Sequence, residues 1–340
     1  MTFSARAAYA LCTLGMVIVG SSVATSRAII HYPLLTGQAM RYAVAAVLLF
    51  GLARLLPPPA RSRPTGRDLG LLIGLGVTGL ALFNVCVLVG LRHAEPAVIG
   101  TAVGAAPLAL AVLGPLIARR RPAGRLVVAA AVVVAGTALV EGFGRTDGIG
   151  LAAAAGALAC ETAFSLLAAP MLDSLGAVLV SAYSCLLAVP VLLAGALILG
   201  ETAVWRLPSL SEAAALAYLA VFVTVAAFLA WFLGLQRLGV ERAGIIVGVL
   251  PLATLATTVL MDRHLPPAAA TAGVVIVAAG LALPHLKLRK PYGMGAGGTG
   301  NGARCRRMNW STSNEQAGPR CPRPRLKRPT STSASSTAMS

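Results

Sequence analysis

One stretch of this sequence occurs twice, and nothing else in the chain constrains its fold as strongly. Gly90 and Leu91 return as Gly234 and Leu235, and Gly100, Gly104 and Pro107 return as Gly244, Gly248 and Pro251. Arg119 and Pro122 return as Arg263 and Pro266, and Gly136 and Leu139 as Gly280 and Leu283. Every pair is 144 residues apart (234 − 90, 251 − 107, 283 − 139). A gap-free offset carried by Gly, Pro and Arg marks two copies of one unit.

The repeated run G-T-A-V-G-A-A-P, echoed as G-I-I-V-G-V-L-P, pairs a small-xxx-small pattern with a proline inside an apolar helix. Glycines four apart, Gly100 with Gly104 and Gly244 with Gly248, let another helix approach closely where water supplies no hydrophobic drive. Pro107 and Pro251 each remove an amide donor and crowd the preceding turn, so a kink is expected at each. Such breaks survive in lipid only against protein or a water-filled cavity. Matching kinks in two copies suit a cavity between the halves, and simple helix packing is the other reading.

The solvent of this fold follows from composition. Hydrophobic residues make up 57% of the 340 residues and charged residues 11%, with a mean hydropathy of +0.81. That is the signature of an integral membrane protein. The net charge of +17 would suit a nucleic-acid binder, but the basic residues fall between apolar segments or in the tail without interleaved aromatics, so no nucleic acid is expected. Six cysteines stand singly, with no Cys-x-x-Cys or Cys/His spacing, and read as small buried hydrophobes. No metal site and no cofactor is expected.

Apolar segments long enough to cross a ~30 Å hydrocarbon layer fall at about 7–30, 36–56, 69–91, 96–118 and 124–140, and again at about 149–170, 175–199, 213–236, 240–261 and 268–286. The fold expected is an all-α membrane protein of ten transmembrane helices, built as two five-helix repeats at 1–145 and 146–290. The first segment is too long for a cleaved signal peptide and reads as a retained helix. With the N-terminus inside, fourteen Lys/Arg residues lie on the cytoplasmic side, among them the clusters Arg54/Arg61/Arg63/Arg67 and Arg119/Arg120/Arg121/Arg125. Five lie outside: Arg27, Arg92, Arg145, Arg206 and Arg263. This bias expects both termini in the cytoplasm. Five spans per copy is an odd number, so the second copy enters upside down, as in many secondary transporters. Residues 291–340 are rich in Gly, Ser, Thr, Arg and Pro and are expected to be a disordered basic tail. Its run around Pro322–Arg328 either touches anionic lipid or is an unselected extension.

Polar residues at membrane depth are the candidates for function. Glu161 falls near the middle of the sixth segment, where a charge costs about 2.5–3.5 kcal/mol. It either faces a cavity or is a protonated acid bonded to a neighbouring helix. Ser165 lies one turn further on the same face. The 144 offset places Val17 and Ser21 at the equivalent positions of the first segment, with Thr25 continuing the stripe. Glu161 thus has no acidic counterpart. Arg41, beside Gln38, either snorkels to headgroups or meets an anionic substrate. Asn84 and Trp231 lie on segments that the symmetry places around the cavity, and each reads as lining or as packing. Glu161, Ser165, Ser21, Thr25, Asn84 and Trp231 form the expected substrate-binding set.

The hairpins P-L-A-L-A-V-L…R-R-R-P and P-L-A-T-L-A-T-T-V-L-M-D-R-H-L-P, with ten spans in two homologous halves, resemble the EamA-type transporters of the drug/metabolite transporter superfamily. The resemblance covers about residues 7–286. Its acidic–basic pair stands in the second half as Asp262-Arg263, whereas the first half has Ala118-Arg119. It implies an inner-membrane secondary transporter of small metabolites, amino acids or drugs, working by alternating access and expected to export. The partners expected are a small-molecule substrate, membrane lipid and protons as a coupling ion through Glu161, with a monomer or homodimer as the assembly. A non-transporting receptor or scaffold is the alternative. An intramembrane enzyme is disfavoured, because neither H-E-x-x-H nor G-x-S-x-G occurs and His31, His93, His264 and His285 sit apart at segment ends or in loops.

Overall fold

In the computed structural model the repeat is visible first in the irregularities of the helices. A capping box joins Thr65 to Asp68, and another joins Ser209 to Glu212, 144 residues on. In each, the hydroxyl accepts from the third amide of the helix and the carboxylate accepts from the cap amide, so two otherwise orphaned donors are satisfied. An eight-residue π-helical segment follows at Leu75–Leu82 and again at Leu219–Ala226, the same offset. Arg119 and Arg263, also 144 apart, are the non-glycine residues with positive φ, at 54° and 53°, among those described. The copies share backbone detail as well as sequence.

The structure describes residues 4–285, apart from 23, 24, 26, 30, 58, 62, 143 and 264–266. Residues 291–340, the expected tail, lie outside them. The helices are α1 (Ala5–Ser21), α2 (Leu34–Leu55), α3 (Gly66–His93), α4 (Pro96–Ile117), α5 (Gly124–Glu141), α6 (148–175), α7 (177–198), α8 (Leu210–Leu238), α9 (Val240–Met261) and α10 (Ala268–Ala282). Among the described residues seven helices are long and apolar enough to cross a membrane, if the continuous run Gly148–Ile198 counts as one. That run breaks at Gly176, whose φ of 73° and ψ of 161° suit glycine, and the break separates α6 from α7. α1 and α10 are apolar but shorter.

The first helix is shorter than its apolar run. It ends at Ser21 instead of reaching residue 30, and Arg27–Ile29 form a separate 3₁₀ turn. The serines account for the stop, because Ser21 Oγ donates to the Ile18 carbonyl (2.9 Å) and Ser22 Oγ to the Val19 carbonyl (2.7 Å), competing with the backbone ladder.

Packing follows the repeat. α5 and α10 meet through glycines, with Gly136 against Val277 N and Gly280 against Val133 N, and Gly273 against Val140 N. The partner number rises as the residue number falls, so the fifth helix of one copy runs antiparallel to the fifth of the other, as an inverted duplication requires. α2 and α7 are likewise antiparallel, with Leu35 against Gly195 and Phe50 edge-on to Tyr183. The main core gathers α1, α2, α3, α6, α7, α8 and α9 with Ala106 of α4, and a second core forms around Ala129, Val133, Ile245 and Val277. Outside it the helices present large aliphatic side chains such as Val47, Ile117, Ile198 and Leu210, the surface that lipid covers.

α4 and α9 each break near the same place, at Gly104–Ala105 and at Val247–Gly248, where Gly104 and Gly248 stand three residues before Pro107 and Pro251. The paired glycines do not all admit a helix backbone. Gly100 makes room for the Glu141 carboxylate and Gly104 for Thr137, one turn apart on α5. Gly244 takes the side chain of Leu110, and Gly248 that of Val133.

Candidate functional site

A cavity of about 480 Å³ lies among these helices. Its walls carry repeat-related pairs: Gly79 and Val223, Phe83 and Ala227, Asn84 and Phe228, Val87 and Trp231, Val103 and Val247. Each pair is one position of the 144-residue unit seen in both copies, so the cavity lies between the halves. The π-helical segments of α3 and α8 both reach it, through Gly79 and Leu80 on one side and Val223 on the other. A π-turn shifts the register of the residues after it and leaves a carbonyl without its usual partner. Thr224 Oγ1 donates to the Leu219 carbonyl five residues back, at 3.1 Å, and so fills that place.

Most of the wall is apolar or aromatic, and the polar groups are few and distinct. Glu161 of α6 lines the cavity without a hydrogen bond or ion pair to any described residue. Glu141, at the last turn of α5, lines it in the same condition, beside the space left by Gly100. Arg41 of α2 lines the same cavity. Its Nε donates to Thr224 Oγ1 (2.7 Å), its Nη1 donates to Gln38 Oε1 (3.2 Å), and its guanidinium lies 5.2 Å from the Tyr42 ring centre. Arg41 makes no ion pair with a described residue, yet its side chain is held by three neighbours. It turns inward, so the snorkelling alternative does not hold.

Asn84 also lines the cavity, its Nδ2 donating to the Leu80 carbonyl (2.6 Å) and the Tyr42 hydroxyl (3.4 Å). Trp231 lines it too, and its Nε1 donates to Ser165 Oγ at 3.2 Å. Ser165 itself is buried behind the indole and does not reach the cavity. Ser21 and Thr25 do not reach it either. From α1 the lining stripe is Met16, Val19 and Ser22. The 144 offset pairs Glu161 with Val17, which does not line the cavity, so equivalent positions of the two copies do not all face it. Among the described residues, no group of three or more His, Cys, Asp or Glu side chains converges as a metal site would require.

Sequence reasoning missed Glu141, Thr137 and Tyr42. Glu141 stands at the end of an apolar helix and not within one, so its sequence position does not single it out. One signal was present: 144 residues on stands His285, so both copies place an ionisable group there. Thr137 is buried with its hydroxyl unpartnered among the described residues, one turn from Glu141 on the cavity wall.

Just beyond the Glu141 end of α5, the loops at this end of the bundle are tied together by polar contacts. Glu95 N donates to the Arg145 carbonyl, Arg145 Nε to Glu95 Oε1 (3.2 Å), and His93 Nδ1 pairs with Asp147 Oδ2 (2.9 Å). Asp147 also caps α6 by accepting from Gly150 N (2.8 Å), and this bond, with the His93 contact, holds its carboxyl below the usual range.

An apolar helical assembly with charged and aromatic side chains turned into an internal cavity is a multi-pass membrane protein of the transporting class. The EamA-like transporter family matches at residues 6–142 and again at 148–284, and the chain belongs to that family. It is 24% identical over 294 residues to the "Uncharacterized transporter YetK" of Bacillus subtilis (strain 168), a match covering 84% of this chain and 88% of the relative. A solved structure described as "Crystal structure of protein" shares its fold, with a TM-score of 0.68 at 20% identity over 81% of this chain and 96% of that one.

Proposed function

We propose that this membrane transporter exports small metabolites, amino acids or drugs across the inner membrane by alternating access, and that its substrate occupies the cavity between the repeats. The observation that carries this reading is the presence of Glu161, Glu141 and Arg41 around one cavity without ion pairs to described residues. Charges so placed are costly in a low-dielectric interior unless something completes them. A substrate carrying an ammonium group for the carboxylates and an anionic group for Arg41 does so, and its apolar part packs on Phe164, Phe228 and Trp231. Asn84 supplies a hydrogen-bonding edge, and Ser165 orients Trp231. Protons compete for Glu161, which couples transport to the proton gradient.

The architecture in this reading is ten membrane-spanning helices in two inverted repeats, 1–145 and 146–290, with both termini cytoplasmic and a basic tail from 291. One chain contains the whole pathway, so the monomer is the working unit and a homodimer is not required. The protein acts as a transporter and not as an enzyme or scaffold.

The test is a metabolite and toxicity screen of cells expressing the intact protein or Glu161→Ala at equal membrane levels. A compound whose accumulation falls only with the intact protein names the substrate class and places Glu161 on its path. Equal changes with both proteins reduce Glu161 to a packing residue. For the coupling claim, Glu161→Gln is expected to transport with a flattened pH dependence, and an unchanged profile refutes proton coupling.

A further inference from the structure

A second crevice, of about 340 Å³, lies away from the central cavity and is bounded by different faces of the helices. Tyr9 and Thr13 of α1 form one side, and Leu126 of α5 and Leu281 of α10 form the other. Ile245, which is buried, and Arg242, both of α9, complete the lining. These residues belong to the first three turns of α1, the first turn of α5, the first two turns of α9 and the last turn of α10. The crevice therefore sits at one end of the bundle, its apolar walls running inward from an edge that carries a cation.

The charge at that edge is unbalanced. Arg242 is exposed and makes no ion pair with a described residue. Its chain neighbour Glu241 is already engaged by Arg120 (3.2 Å). Arg125 adds positive charge close by, its Nε and Nη2 donating to the Leu283 carbonyl beside the crevice. A cation at a helix end, next to an aliphatic slot between helices, is complementary to a ligand with an anionic head and a hydrocarbon tail.

We propose that this crevice binds one anionic glycerophospholipid, with its phosphate on Arg242 and an acyl chain between α1 and α10. A free phosphate would use Arg242 but leave the aliphatic walls bare. A zwitterionic lipid would fill the slot but gain less from the uncompensated guanidinium. The site is independent of the transport reading, since none of these residues lines the central cavity.

The full-length protein, purified in a neutral detergent, is titrated with phosphatidylglycerol, phosphatidylcholine or inorganic phosphate while bound lipid is read by native mass spectrometry. Phosphatidylglycerol is expected to bind in preference to phosphatidylcholine, and inorganic phosphate not to displace it. Arg242→Gln is expected to weaken phosphatidylglycerol about fivefold and leave phosphatidylcholine unchanged, whereas Arg237→Gln, at the same end but outside the crevice, retains the preference. Thr13→Trp, which fills the slot without touching the charge, is expected to lower binding of both lipids. Equal binding of the two lipids by the intact protein, an undiminished preference in Arg242→Gln, or displacement by phosphate alone overturns the proposal.

Discussion

The charged residues of this protein differ less in type than in what surrounds them. Glu241 and Glu95 pair with Arg120 and Arg145, and Asp147 with the His93 ring, all at helix ends. Glu141 and Glu161 find no such partner among the described residues and face a cavity instead. Asp147 yields a prediction about acid. Its carboxyl is held low by the Gly150 amide and by His93, so the folded protein keeps it ionised more readily than the unfolded chain does. A carboxylate with a depressed folded value contributes stability above its unfolded value, and that contribution is lost as pH falls through the folded one. The thermal midpoint is therefore expected to fall between about pH 5 and about pH 3, and to fall less in Asp147→Asn, whose amide still caps α6 but does not titrate. Melting curves of the two proteins across that range check this, and parallel curves would remove Asp147 from the acid response.

At the scale of helices, glycine has opposite meanings at different positions. Gly136 sits where α5 meets α10, and a methyl there would fall 2.7 Å from Val277 N and 2.9 Å from Gly273 O. Backbone cannot yield as a flexible side chain can. Gly136→Ala is therefore expected to cost about 1–3 kcal/mol, the usual penalty of overpacking. Gly51 lies inside α2 with nothing within 4 Å of the added methyl. Gly51→Ala is expected to be neutral or to stabilise by up to about 1 kcal/mol, through helix propensity alone. Thermal unfolding of both variants in one detergent decides the matter, and a matched pair of shifts would contradict the packing described for α5 and α10. The glycine pattern was legible as a sign of close packing. Which neighbour each glycine admits was not, because Gly100 turned out to serve a carboxylate and Gly136 a helix backbone.

For the whole molecule, the antiparallel pairing of α5 with α10 and of α2 with α7 makes the copies opposite in sense. Under the proposed topology the chain crosses the membrane an even number of times. Reporter fusions at the N-terminus and after residue 290 are then expected to report the same, cytoplasmic, side, and a fusion in the loop after His93 the other. A split result for the two termini would remove one span, with the short α1 and α10 the first to question.

The sequence by itself determined the duplication, the membrane as solvent, the helical class and the family, because these rest on periodicities and composition that every local segment repeats. It also pointed to Glu161, since an acid deep in an apolar run is conspicuous without knowing its neighbours. Only the tertiary structure decided that Arg41 turns inward onto Thr224, that Ser165 stands behind Trp231, that Ser22 and not Ser21 faces the cavity, and that Glu141 joins Glu161 there. The 144-residue offset maps one copy onto the other along the chain. It does not say which positions of each copy face the cavity, and a rotation of a helix by one residue, about 100°, is enough to move a side chain from the wall to the packing behind it.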